Sequence, residues 1–264
     1  MGCYFKKRGI MADQLGQRYF FEVAYKGTDY SGFQVQENAP TIQGELEKVL
    51  STFYKTQINL TGSSRTDAGV HAHQNYFHGD LATPITSKNI YNLNAMLPPD
   101  IVLKQVYRVP PEAHARFDAV SRTYKYLVYR EKSPFKADRA WYYPFPLDLQ
   151  ALNKAANTLI DHRDYEAFAK RNSQVHTYNC EVMQAEWKEE GGYFVFQVKA
   201  NRFLRGMVRG LVATMLKVGR GAMLQEEWLS VLTSKDQSLC DFSAPSQGLF
   251  LISVEYPYVL ESVE

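Results

Sequence analysis

The chain has 264 residues, of which 45% are hydrophobic, 14% aromatic and 22% charged, with a formal net charge of +2 and a sequence pI of about 8.3. That composition excludes a wholly disordered chain and allows one large domain or two modest ones, while the small net charge makes any anion-binding role depend on local clustering of Lys and Arg. No apolar run approaches the roughly 20 residues of a membrane-spanning helix, and no apolar segment follows Lys6-Lys7-Arg8 to form a secretory signal.

Residues 1–17 show neither helical nor strand periodicity, so a flexible leader is expected there, with Met11 as a second candidate start. The first strand is predicted over 19–25. Thr41 then caps a helix whose apolar positions Ile42, Leu46, Val49, Leu50 and Phe53 follow helical spacing. Residues 57–61 alternate like a half-buried strand, 73–81 read as another strand, 87–96 as a helix and 101–109 as a strand. That order is the order of a ferredoxin-like unit.

Pro110 and Pro111 punctuate the chain and suggest a boundary, which divides it into an N-terminal α+β domain, 18–111, and a C-terminal α+β domain, 112–264. In the second part the patterning predicts strands over 120–129, 181–188, 193–200 and 249–256, and helices over 148–160, 203–218 and 225–233. No sequence repeat relates the two parts. The expected fold class is α+β, with two ferredoxin-like halves whose largely antiparallel sheets lie side by side around a central cleft.

Chemistry is concentrated in Gly62-Ser63-Ser64-Arg65-Thr66-Asp67-Ala68-Gly69-Val70-His71. Residues two apart on extended chain share a side, so Arg65 is expected to pair with Asp67 and keep its carboxylate ionised and aimed. An ionised, oriented carboxylate serves as nucleophile or general base. The same composition also suits an ordinary capped turn. Basic residues gather later, at Lys199, Arg202, Arg205, Arg209, Lys217 and Arg220, with no acidic residue between the first and the last. On a helix Arg202, Arg205 and Arg209 would fall within roughly 60° of one another, a stripe suited to phosphates or simply to solvent. Period two sets Arg122, Tyr124, Tyr126 and Arg130 on one strand face, where tyrosine beside arginine suits base stacking and phosphate contact, or plain sheet packing.

His71 and His73 share strand parity, but His78 does not and no cysteine lies near, so no metal site is expected. Cys3, Cys180 and Cys240 are too dispersed for a metal knuckle and odd in number, which points to a reducing compartment. No nucleotide or cofactor fingerprint is present.

The stretch Ser64-Arg65-Thr66-Asp67-Ala68-Gly69-Val70-His71-Ala72 closely resembles the R-T-D-x-G-V-H-A signature of the tRNA pseudouridine synthase A family. Tyr25-Lys26-Gly27-Thr28-Asp29-Tyr30-Ser31-Gly32-Phe33-Gln34, His114-Ala115-Arg116-Phe117, Arg122-Thr123-Tyr124-Lys125-Tyr126, Met207-Val208-Arg209 and Gly248-Leu249-Phe250-Leu251 resemble further blocks of the same family, in the same order. The resemblance implies that Asp67 is catalytic, that Arg209 reaches it, that Tyr124 works against the target base, and that His71 supports the Asp67 turn. It further implies a tRNA substrate modified in the anticodon arm, RNA contacts from Arg116, Arg122, Arg202, Arg205 and Leu249, a homodimer, no cofactor and no metal; the dispersed cysteines and the lack of a signal or membrane segment lead to the expectation of a cytoplasmic protein. Two departures stand out: Val35 where many relatives carry arginine, and Ser64 where glycine often precedes the triplet. Two other functions are open to these residues. One is a non-catalytic tRNA-binding module or chaperone, and the other is glycosidic hydrolysis by paired carboxylates with Asp29 as the second acid.

Overall fold

A computed structural model describes residues 16–171 and 175–264. The first strand, β1 (Gln17–Tyr25), buries Tyr19, Phe20, Phe21 and Val23 almost completely, so both of its faces are covered, as aromatic and branched side chains favour. Helix α1 (Ile42–Tyr54) starts at Thr41, whose hydroxyl accepts from the Gly44 N–H at 3.2 Å, and turns Ile42, Leu46, Val49 and Leu50 to the core. There follow β2 (Thr61–Gly62), β3 (His71–Leu81), α2 (Ser87–Met96), β4 (Ile101–Arg108), β5 (Ser121–Tyr129) and β6 (Trp141–Tyr142). Helix α3 (Leu149–Asp161) is capped by the Asp148 carboxylate, which accepts from the N–H groups of Gln150 and Ala151. The chain continues through β7 (Val182–Glu190), β8 (Tyr193–Ala200), α4 (Met207–Gly219), α5 (Gln225–Thr233), β9 (Leu249–Glu255) and β10 (Glu261–Ser262).

All these strands belong to one sheet, with the order β10-β4-β1-β3-β9-β5-β8-β7, β2 on β3 and β6 on β5. Every pairing along that path is antiparallel except the central one, where β3 and β9 run parallel through His71 opposite Phe250 and Ala72 opposite Leu251. Two hydrophobic cores flank this join. One packs α1 and α2 on the first strands through Phe33, Leu46, Phe77 and Leu93, and the other packs α3, α4 and α5 on β5, β7 and β8 through Tyr126, Phe168, Trp187, Leu211 and Trp228. The expected α+β class, with a large, mostly antiparallel sheet, is the class observed.

Several local expectations are corrected. Residues 57–61 form no strand beyond Thr61, because side chains of α1 occupy their backbone groups: Ser51 Oγ accepts from the Ile58 N–H, Glu47 from the Leu60 N–H, and Gln43 donates to the Leu60 carbonyl. The helix predicted from 203 begins at Met207, since Gly206 adopts a φ of 77°, which a right-handed helix does not accommodate. The two cores interlock across Pro110: Ala113, Ala115 and Ala119 pack in the first, Val70 in the second, and β10 returns to pair with β4. Of the expected leader, residues 1–15 lie outside the described residues, while Gly16 precedes β1 and Gln17 opens it.

Two buried histidines tie loops to this frame, and both must stay neutral to do so. His78 Nδ1 accepts from the Ala115 N–H at 3.2 Å; burial, with His114 and Arg18 nearby and Asp80 and Asp118 opposing them, lowers its pKa to about 4. Burial also lowers that of His71. Above the ordinary histidine value neither state carries the proton, so nothing is contributed; below it the unfolded chain protonates first and stability falls. Urea midpoints should therefore drop as pH falls from about 6.5 to about 4, with His78 contributing at most about 3.5 kcal/mol, since a tenfold difference in proton affinity corresponds to about 1.4 kcal/mol. His78→Asn, which keeps an acceptor for Ala115 but does not titrate, should show a shallower decline; an undiminished slope would refute this account.

Candidate active site at the join of the halves

The loop leading into β3 is shaped by steric demands on both sides. Asp67 and Val70 close a turn, the Val70 N–H donating to the Asp67 carbonyl at 3.2 Å, and Gly69 supplies a φ of 78° that its third position needs. Against this turn lies Gly27, where a Cβ would overlap the Val70 carbonyl oxygen. Only glycine permits that approach. His71 then bridges two segments: its Nδ1 accepts from the Gly27 N–H at 3.1 Å, so its proton resides on Nε2 and is donated to the Gln247 carbonyl at 3.1 Å.

Below the loop a fully buried amide fixes the side-chain directions. The Asn75 NH₂ donates to Tyr25 Oη and to the Ser64 carbonyl, each at 3.0 Å, and its Oδ1 accepts from Ser63 Oγ at 2.7 Å and the Tyr76 N–H at 2.9 Å. All four capacities of the amide are filled. The Tyr25 hydroxyl is in turn hydrogen-bonded to Thr66 Oγ1 at 2.8 Å. Ser63, Ser64 and Thr66 are thereby held inward, which leaves Arg65 and Asp67 directed outward. The sequence reading did not single out Asn75 or its partner Tyr25 for this role; the available signal was an asparagine, depleted in strands, in the middle of an eleven-residue strand.

The Asp67 carboxylate is 33% exposed and lies between two arginines, with Arg205 Nε 3.9 Å from Oδ1 and Arg209 Nη1 3.9 Å from Oδ2. At that distance neither guanidinium forms a hydrogen bond to its oxygens, so the carboxylate keeps its lone pairs for a ligand. Arg209 sits in the first turn of α4 and is aimed by its Nε, which donates to the Ala244 carbonyl at 2.6 Å. The same segment is anchored by Tyr126, whose hydroxyl donates to the Pro245 carbonyl at 2.7 Å. Tyr124 reaches the site through strand register: Tyr25, Ala72, Leu251 and Tyr124 are cross-strand neighbours along β1, β3, β9 and β5. Its half-buried ring meets Phe203 edge-on at 5.0 Å. Burial pushes its phenol up to about 12, Arg122 opposing and Asp67 adding to the shift.

The other expected site residues divide. Arg65 does not pair with Asp67; among the described residues the cations within 4 Å of that carboxylate are Arg205 and Arg209, and Arg65 is instead close enough to Arg116, together with Arg202, to lower the latter's pKa after burial. Arg202 and Arg205 precede α4 rather than lying along it, so the helical stripe dissolves, and Arg205 turns to the carboxylate. Arg122, expected to meet RNA, is 9% exposed and donates to four backbone carbonyls: Ala119 at 3.2 Å, Asn201 at 3.0 Å, Ser63 at 3.3 Å and Arg116 at 2.8 Å. It is a clamp inside the protein. Leu249 is buried in the second core, and Arg116 is exposed beside Phe117. His73 stacks on Phe250 at 5.6 Å, and among the described residues no three His, Cys, Asp or Glu side chains converge on a metal-sized site.

The sequence model described as tRNA pseudouridine synthase matches residues 155–257. The tRNA pseudouridine synthase A of Parabacteroides distasonis is 42% identical over 250 residues, covering 94% of this chain and 99% of the relative. That of Bacteroides fragilis is 43% identical over 244 residues (91% and 97%), and one from Staphylococcus aureus is 36% identical over 238 (89% and 90%). The chain belongs to the tRNA pseudouridine synthase A family.

The Arg122 clamp generates a direct test. Arg122→Met orphans four carbonyls at about 1–3 kcal/mol per buried group, so the urea midpoint should report a loss of at least about 3 kcal/mol. Arg122→Lys should recover little of it, because a single ammonium cannot reproduce the planar fork. A change within about 0.5 kcal/mol, typical of an exposed arginine, would contradict the assignment.

Proposed function

We propose that this protein isomerises uridine to pseudouridine in tRNA, with Asp67 as its catalytic carboxylate. The observation that carries this is the position of Asp67: partly open, flanked by Arg205 and Arg209, and adjacent to Tyr124 at the join. The reaction breaks the bond from C1' of the ribose to N1 of uracil, turns the freed base, joins C5 to C1' and releases the C5 proton. Nothing is added or oxidised, so the chemistry calls for a held anion, a held base and a proton acceptor. Asp67 attacks C1', attacks C6, or takes a ribose proton on a glycal route, and each of these uses a carboxylate held in place for a ligand. The target uridine has to leave its stack to reach this depth.

Tyr124 works beside the base. Its phenol, pushed up to about 12, is protonated at neutral pH, so its contribution there is contact and hydrogen bonding. Arg65, Arg116 and Arg202 line the rim as phosphate ligands. The anticodon arm as target, the homodimer and the cytoplasmic setting extend this function along the family resemblance; no helix among the described residues is long and apolar enough to cross a membrane. A non-catalytic RNA-binding module would have no need of a carboxylate flanked by two arginines. Hydrolysis by paired carboxylates is disfavoured because Asp29, the second acid it would need, is exposed on its own loop, while the ion pairs of Asp67 among the described residues are with Arg205 and Arg209.

Asp67→Asn should bind tRNA within about threefold of the parent yet release tritium from 5-labelled uridine at below about a thousandth of its rate, a loss in the range seen when an essential catalytic group is removed. Substantial residual pseudouridine from that variant would overturn the role of Asp67, and free uracil among the products would indicate hydrolysis instead. Tyr124→Phe should keep tRNA affinity and lower kcat, and an unchanged kcat would remove the hydroxyl from the mechanism.

A further inference from the structure

Phe117 is 74% exposed, yet the loop that carries it is tightly tied down. The His114 N–H donates to Asp118 at 2.8 Å, and the N–H groups of Arg116 and Phe117 both point to His114 Nδ1, at 3.1 and 3.3 Å. From outside, Tyr256 Oη donates to the Ala115 carbonyl at 2.7 Å, Tyr258 Oη to Asp118 at 2.9 Å, and Arg122 to the Arg116 carbonyl at 2.8 Å. A loose loop would fold such a ring against the surface; this one holds it out in water. His114 backs the ring at 4.3 Å with an interplanar angle of 32°, and the Arg116 guanidinium lies 5.6 Å from its centroid.

The surroundings say what the ring meets. Arg116 lies in the field of Arg65 and Arg202, three cations gathered with no anion paired to any of them among the described residues. The Arg122 Nη2 that holds the Arg116 carbonyl also holds that of Ser63, four residues before Asp67, so the Phe117 loop abuts the loop of the carboxylate. A fixed aromatic face among unpaired guanidinium groups matches a nucleobase attached to phosphates. We propose that Phe117 is a stacking platform for an unpaired nucleobase of the bound tRNA next to the target uridine, with Arg65, Arg116 and Arg202 on the adjoining phosphates. This rests on tRNA being the substrate, as proposed above.

The test compares Phe117→Ala, Phe117→Leu and Phe117→Trp with the parent for tRNA affinity at several salt concentrations, kcat and KM for pseudouridine, thermal midpoint and sedimentation. Loss of one stack weakens binding roughly 5- to 150-fold. Ala and Leu should both show that loss, mainly in Kd and KM, while Trp retains affinity, and the salt dependence stays that of the parent because no phosphate contact is removed. In contrast, Arg116→Ala should reduce the slope of log affinity against log salt by about one. Thermal midpoints should hold, the ring being exposed. Leu binding like the parent, or all three binding alike, overturns the stacking role, and a shift in sedimentation without loss of affinity assigns the ring to self-association and overturns it too. If the parent binds tRNA with this Phe117 dependence but makes no pseudouridine, the reaction fails and the platform stands; if it binds no tRNA, both fail.

Discussion

A single buried guanidinium holds the working surface together. Arg122 starts from a central strand and donates to carbonyls on three separate loops, those of Ser63, of Ala119 and Arg116, and of Asn201. These loops lead, respectively, to Asp67, to Phe117, and to Arg202 and Arg205. Its charge is set against neutral dipoles rather than a carboxylate, and burial accordingly lowers its pKa. A carboxylate partner would have met the charge at one point, whereas carbonyls from different segments force those segments to a common place.

That convergence gives two weakly constrained elements a defined shape. The loop of Asp67 has no ladder of its own between β2 and β3, and its shape comes from Asn75 and Tyr25 beneath, His71 at one end and Gly27 against its turn. The loop before α4 is likewise irregular up to Gly206, after which the helix carries Arg209 to the same carboxylate. The parallel β3–β9 pairing joins the two, since it sets the chain after Asp67 beside the strand that neighbours Tyr124. The site is therefore assembled from both halves: the first supplies the carboxylate and the second both of its arginines.

Much of this was legible in sequence. The Thr41 cap and the spacing of Ile42, Leu46, Val49 and Leu50 marked the start and the buried face of α1, and 87–96 and 225–233 coincide with α2 and α5, because amphipathic periodicity and capping are local properties. Where tertiary contacts compete, local pattern misled. Residues 57–61 alternate properly for a strand but have their backbone groups taken by Gln43, Glu47 and Ser51. The arginine stripe presumed a helix through Gly206. The shared face of Arg122, Tyr124 and Tyr126 is real, but it points into the protein, since burial depends on what the rest of the chain lays over the strand.

What the sequence determined by itself was the inventory: the carboxylate at 67, its glycine-flanked turn, the basic residues before and within α4, the alternation of strands and helices, and the likeness to one family. Only the tertiary structure decided which charges meet. Asp67 lies nearer to Arg205 and Arg209, more than a hundred residues away, than to any side-chain cation of Arg65, two residues away. The reason is that a side chain's direction on irregular backbone is set by the long-range hydrogen bonds of its neighbours, here Ser64 and Thr66 to Asn75 and Tyr25, and such bonds leave no periodic trace in the chain.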